Sequence, residues 1–145
     1  MTVSWAGMEL MLLHLILWYH PRGGQQMVKA IPTGLSKQLD YIDEMAKDVR
    51  FSVSDAGALT NISAEMRRLN EVRNDIIHGV MHQTNSFTLR WYSHRIRIVK
   101  GVPEMRHVEY TSDELSKTSA DMGALGSRIS PFFARLTGMP HPDND

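Results

Sequence analysis

Apolar residues occupy nearly every side of the stretch Trp5 to Tyr19, with Met8, Leu10, Met11, Leu12, Leu13, Leu15, Ile16, Leu17 and Trp18 in close succession. Such a pattern predicts a helix buried between partners, and it also suits a dimer interface. Pro21, Gly23, Gly24 and Pro32 then interrupt any helical period, so His20 to Thr33 reads as a loop. From Leu35 to Arg50 the positions Leu35, Leu39, Ile42, Met45, Ala46 and Val49 recur at three- and four-residue spacing, the mark of a helix with one buried stripe. After a break around Ser52 to Asp55, a third helix is expected from Ala58 to Gly79. Leu59, Ile62, Met66, Leu69, Val72, Ile76 and Ile77 lie on its inner face, and Gly79 is its stop signal.

The pattern then changes. Ser86 to Tyr92 and Arg95 to Val99 are rich in β-branched and aromatic residues with partial alternation, which predicts a small hairpin, and Arg106 to Tyr110 can add a third short strand. A last helix opens at Thr111, where Thr-Ser-Asp-Glu offers a capping box, and extends to about Leu136. Gly123, Gly126 and Pro131 make two shorter helices the alternative. The fold class expected is all-α, a bundle of four to five helices with a β-hairpin inserted before the last long one. A single domain over 1–137 is followed by a loose tail over 138–145.

Composition narrows the function classes. A chain of 145 residues can bury roughly 70% of the surface its unfolded form exposes, enough for one core. Sixteen Lys and Arg balance sixteen Asp and Glu, so contact with a polyanion must be local rather than driven by the overall field. The absence of cysteine excludes disulfides, thiolate metal sites and cysteine nucleophiles. The apolar run Met8 to Tyr19 is too short to span a bilayer and contains Glu9 and His14, and no basic residue precedes it as in a secretory leader. A cytoplasmic location with no membrane partner is the expectation.

The densest chemistry lies in Arg73-Asn74-Asp75-Ile76-Ile77-His78-Gly79, near the end of the third helix. Residues four apart share a helix face, so Asn74 and His78 are neighbours, with Arg73 flanking them across the turn. An imidazole with its ordinary pKa near ~6.5 can exchange a proton at neutral pH, and a guanidinium can hold phosphate oxygens bidentately. RNA carries its own nucleophile in the ribose 2′-hydroxyl. A base to deprotonate it and a cation to steady the phosphorane suffice for cleavage to a 2′,3′-cyclic phosphate. One histidine serves poorly as both base and acid in a single in-line displacement. A twofold dimer would supply two.

The Arg-Asn-Asp-Ile-Ile-His run resembles the signature of HEPN domains (higher eukaryotes and prokaryotes nucleotide-binding): an arginine, a polar residue directly after it, and four residues in all before the histidine. The order of helices around it is similar too. That resemblance implies a helical, homodimeric, metal-independent endoribonuclease of toxin–antitoxin or anti-phage systems, with Arg73 and His78 catalytic and Asn74 supporting. It implies no cofactor, RNA as substrate, and an antitoxin protein as a possible partner. Val80 stands where one toxin branch of the family carries tyrosine, which separates this chain from that branch. The alternative within the same fold is a catalytically inactive scaffold that binds a nucleotide, RNA or a protein. A plain helical interaction module is the third class.

Other readings compete at single residues. Arg73 and His78 near a helix C-terminus can be surface groups favoured by the helix dipole, but Asn74 then has little purpose. His78 and His82 are four apart and could share a metal on a continuous helix, with a third ligand from His14, His94 or His107. No glutamate follows His78, and a functional metal is not expected. Arg90, Arg95 and Arg97, interleaved with Trp91, Tyr92 and His94, could grip RNA phosphates and stack a base. The bland reading is a solvated strand face. His14 is expected to be a core histidine with its hydrogen bonds satisfied.

Overall fold

The computed structural model describes residues 4–83 and 90–138. Along the chain run α1 (Trp5–Tyr19), α2 (Leu35–Met45), α3 (Val53–His78), β1 (Val80–Gln83), β2 (Arg90–Val99), β3 (Val102–Thr111) and α4 (Ser112–Thr137). The three strands form one antiparallel sheet in the order β1-β2-β3. The protein is therefore α+β and mostly helical, rather than the all-α bundle with a minor hairpin that the pattern suggested. Contacts divide it into two compact units, Met1–Arg67 with Met122–Asp145, and Arg68–Asp121.

In the first unit α1 and α2 start where expected, whereas α3 starts at Val53, inside the break expected over Ser52 to Asp55 and ahead of the expected start at Ala58. Ser4 caps α1, its Oγ accepting from the Gly7 amide at 3.1 Å. Met8, Leu12, Leu15 and Ile16 of α1 are buried, as are Leu39, Ile42 and Met45 of α2, Leu59, Ile62 and Met66 of α3, and Leu125, Ile129 and Phe133 of α4. Two further expectations fail here. The α2 period breaks off at Met45, and Val49, counted as part of its stripe, is 96% exposed. The Asp48 carboxylate is the physical reason: it accepts from the Arg50 backbone amide at 2.9 Å and from the Arg50 side chain, a turn that competes with further helix. His14, expected in the core, is exposed. The buried imidazole is His20, whose Nδ1 lies 3.0 Å from Tyr41 Oη.

The capping box at the start of α4 is present as read: the Thr111 amide donates to Glu114 Oε2 at 2.7 Å, and the Glu114 amide to Thr111 Oγ1 at 3.1 Å. From there α4 continues unbroken through Gly123, Gly126 and Pro131, so the division into two shorter helices does not occur. No helix among the described residues is long and apolar enough to cross a membrane.

The second unit contains the end of α3, the sheet and the start of α4. The sheet turns where the sequence reading did not place a turn. β2 runs through Ser93 and His94 without interruption, and the hairpin closes at Lys100-Gly101, whose φ values are +51° and +81°. Positive φ at both central residues is the requirement of a type I′ turn, whose twist matches that of the flanking strands. The strand expected to begin at Ser86 falls partly outside the described residues, as does most of the tail from Gly138.

Candidate functional site

The floor of the motif turn is Asp75. Its side chain is fully buried and has four donors around it. Arg106 approaches as a fork, with Nε 2.9 Å from Oδ1 and Nη2 3.0 Å from Oδ2, Tyr110 Oη donates to Oδ2 at 2.5 Å, and Arg95 Nε donates to Oδ1. Arg95 Nη2 also reaches Glu71 Oε2 at 3.0 Å, one helical turn before Asp75. Burial alone would raise the Asp75 carboxyl, but hydrogen bonds from Arg106, Tyr110 and Arg95 outweigh it and hold the group below the usual carboxylate range. The Tyr110 hydroxyl is pushed up to about 12, by burial first and then by its bond to Asp75.

The backbone at the same point is pinned as well. Ser93 Oγ, buried in β2, donates to the Asp75 carbonyl at 2.7 Å. Gly79 is indispensable to this approach: a Cβ there would lie 2.2 Å from both the Asp75 carbonyl oxygen and Ser93 Oγ. Gly79 therefore does more than stop the helix. It lets the chain turn directly into β1 at Val80.

With Asp75 fixed, the positions of Arg73, Asn74 and His78 follow from helix geometry. Asn74 and His78 lie about 40° apart around the axis, on one face, while Arg73 is about 140° from His78 and about 7.5 Å along the axis. Asn74 is half-buried, Arg73 is half-buried and His78 is exposed. The helix thus brings the amide and the imidazole together but sets the guanidinium on a neighbouring face. Ile76 and Ile77, expected on the inner face, are exposed at 42% and 55%. The apolar stripe Leu59, Ile62, Met66 and Leu69 is buried; past Leu69 the buried position of the helix becomes Asp75, on the other side.

The hairpin arginines are each engaged with carboxylates. Arg95 sits against Asp75 and Glu71, Arg90 pairs with Glu109, and Arg97 pairs with Glu104 at 3.5 Å. His82 is not on a helix with His78, because α3 ends at His78 and His82 belongs to β1. The spacing that suggested a shared metal is therefore not helical. Among the described residues no three His, Asp or Glu side chains are placed to hold a metal ion. A groove of about 670 Å³ in the first unit, lined by Met27, Val28, Ile31, Pro32 and Tyr41 among others, includes none of the motif residues.

Two features escaped the sequence reading. Asp75 lay inside the motif, and a carboxylate between Asn74 and two isoleucines was the available signal of a buried ionic anchor. The second is a row of imidazoles on the sheet: His82 stacks on His94 with ring centroids 5.0 Å apart, and His94 meets His107 edge to face at 4.6 Å. Their positions at 82, 94 and 107 become neighbours only through the strand register. No family model, curated protein or solved structure matches this chain.

Proposed function

We propose that this protein is a metal-independent endoribonuclease with a HEPN-like helical core, whose active site combines Arg73, Asn74 and His78 of two copies. The observation that carries the proposal is the placing of Asn74 and His78 on one face of α3, in a turn that the buried Asp75, about 60° from His78 around the axis, clamps to the sheet. A clamp of this kind restricts the motion of the groups that must align on a phosphate, which is where positional catalysis gains most.

In the proposed reaction one imidazole removes the proton from a ribose 2′-hydroxyl, and the resulting oxygen attacks the adjacent phosphorus. The P–O5′ bond breaks, and the leaving 5′-oxygen takes a proton from the imidazolium of the second copy. The products are a 2′,3′-cyclic phosphate and a 5′-hydroxyl. The guanidinium of Arg73 stabilises the charge that grows on the non-bridging oxygens, and the Asn74 amide orients the phosphate. Since Arg73 and His78 of one helix lie on different faces, a second copy would supply the missing half of the constellation. Toxin–antitoxin or anti-phage defence is the context this chemistry fits.

The test is cleavage of a labelled RNA in the presence of a chelator, with mass spectrometry of the new 3′ ends. Wild type should give cyclic-phosphate termini, and His78→Ala or Arg73→Ala should each reduce the rate by about 10²–10⁴-fold with the fold intact. Full activity in both variants would refute the assignment. Stoichiometric RNA binding without cyclic ends would point to an inactive scaffold instead.

A further inference from the structure

Residues directly opposite each other on antiparallel strands set their side chains side by side. His94 of β2 and His107 of β3 are such a pair, and their Nδ1 atoms face each other within hydrogen-bonding distance, in a contact open to solvent. The two rings meet edge to face with centroids 4.6 Å apart. On the β1 side His82 lies nearly parallel to His94, at 14° and 5.0 Å, and also stacks on Tyr92 at 5.6 Å. These rings occupy the sheet face turned away from Ser93, Arg95, Arg106 and Tyr110, the groups that meet Asp75.

Two neutral imidazoles that point ring nitrogens at each other share one proton: one ring donates its Nδ1–H and the other accepts. A divalent transition-metal ion can take the place of that proton. The proton then sits on Nε2 of the ring that carried it, and both rings offer an Nδ1 lone pair as neutral ligands with no change of redox state. Metal–nitrogen bonds of about 2.0–2.1 Å set the two nitrogens about 2.9 Å apart in a right-angled chelate and about 3.3 Å apart in a tetrahedral one. Nitrogens already in hydrogen-bond contact reach either separation by small side-chain rotations. The donor set selects the ion. Among the described residues the carboxylate on this face is Glu109, which pairs with Arg90, so the oxygen-seeking Mg²⁺ and Ca²⁺ find no open anionic ligand. Imidazole suits Cu²⁺, Ni²⁺ and Zn²⁺, and Cu²⁺ binds such donors most tightly. Two adjacent nitrogens fill neighbouring corners of the square that Cu²⁺ favours and leave the others to water. His82 is not placed as a third ligand; held between Tyr92 and His94, its ring fixes the plane of His94.

We propose that His94 and His107 form a site for a divalent transition-metal ion, copper(II) above the others, which bridges β2 to β3. His82 is a positioning residue for His94. In the unfolded chain the two ligands are thirteen residues apart with no strand pairing to hold them together, so an ion bound by both favours the folded hairpin and adds to stability by mass action. The site shares no residue with Arg73, Asn74 and His78 and has no part in the proposed RNA cleavage. The two proposals therefore stand or fall separately.

Isothermal titration of the full chain with Cu²⁺ buffered by glycine, at about pH 7.5 where imidazole is neutral, tests this. Wild type should bind one ion. His94→Gln and His107→Gln should each weaken binding at least about tenfold, while His82→Gln should stay within about threefold of wild type. Electron paramagnetic resonance of the wild-type complex should show two imidazole nitrogens, and Cu²⁺ should raise the thermal midpoint of wild type but not that of His107→Gln. His107 is exposed, so its variant carries the test should His94→Gln misfold. Copper binding unchanged in His107→Gln, a loss in His82→Gln as large as in His107→Gln, or binding of Mg²⁺ as tight as that of Cu²⁺ would overturn the proposal. Copper binding that depends on His107, in a protein that cleaves no RNA, would leave it standing and remove the nuclease proposal. RNA cleavage under chelator with copper binding indifferent to His107→Gln would do the reverse.

Discussion

Asp75 and Arg106 meet as a parallel fork, Nε 2.9 Å from one carboxylate oxygen and Nη2 3.0 Å from the other, with the aspartate wholly out of water. Geometry of this kind makes the pair expensive to break from one side, because the surviving charge keeps no partner of equal strength. Asp75→Asn leaves Arg106 and Arg95 facing a neutral amide and should destabilise the protein by about 3 kcal/mol in urea denaturation. Tyr110→Phe removes one donor and leaves both guanidinium groups in place. Its cost should be smaller, about 1–2 kcal/mol. RNA cleavage should fall in Asp75→Asn even where the protein remains folded, since the turn bearing Asn74 and His78 loses its clamp.

The same aspartate sets an acid limit. Its carboxyl is held below the usual range in the folded protein, so the folded state takes up a proton less readily than the unfolded chain. The stabilisation it gives is fully present above the ordinary carboxylate value near pH ~4 and is lost as the pH falls through the lowered folded value. Thermal melts of wild type between about pH 6 and pH 2 should show a decline that Asp75→Asn lacks in its steepest part. Parallel curves for the two proteins would mean that other carboxylates carry the acid sensitivity.

Much of this arrangement could be read from the chain, and what could not has physical causes. The limits of α1 and the capping box of α4 were legible because caps are local: Ser4 and the Thr111–Glu114 pair act within one turn. The stripe of α3 was legible as a period, but the period cannot tell which of its positions remain covered, and Ile76 and Ile77 are not. Arg95 was read as an RNA ligand because its type and neighbours fit that role, yet its position in β2 presents it to a carboxylate twenty residues earlier in sequence. The imidazole row depended on strand register: the turn at Lys100-Gly101 sets His94 beside His107, and the pairing of β1 with β2 brings His82 to His94.

That turn offers a gain of stability. Lys100 has φ +51°, a left-handed conformation in which its Cβ crowds the following carbonyl at a cost of roughly 1–2 kcal/mol relative to a tolerant residue. Asparagine accepts this region, and Asn-Gly is the favoured pair for the two-residue hairpin. Lys100→Asn should raise stability by about 0.5–1 kcal/mol in urea denaturation, with β2 and β3 pairing unchanged. Gly101→Val, placed at φ +81°, should lower it by at least about 1 kcal/mol.

Gly79 joins the motif helix to the sheet, and the consequences of filling its place can be separated. A methyl there meets two atoms at 2.2 Å, one the Ser93 hydroxyl and the other the Asp75 backbone carbonyl. Only the first can be removed by mutation. Gly79→Ala should therefore destabilise the protein by about 1–3 kcal/mol, through forced displacement of α3 from β2 and loss of the Ser93 bond. Adding Ser93→Ala relieves the hydroxyl contact but not the carbonyl contact, so the double variant should recover only part of the loss. A double-mutant cycle by urea denaturation measures the two contributions. Full recovery would mean that the helix end can shift away from the methyl, and that the hydroxyl alone defines the limit of approach between α3 and β2.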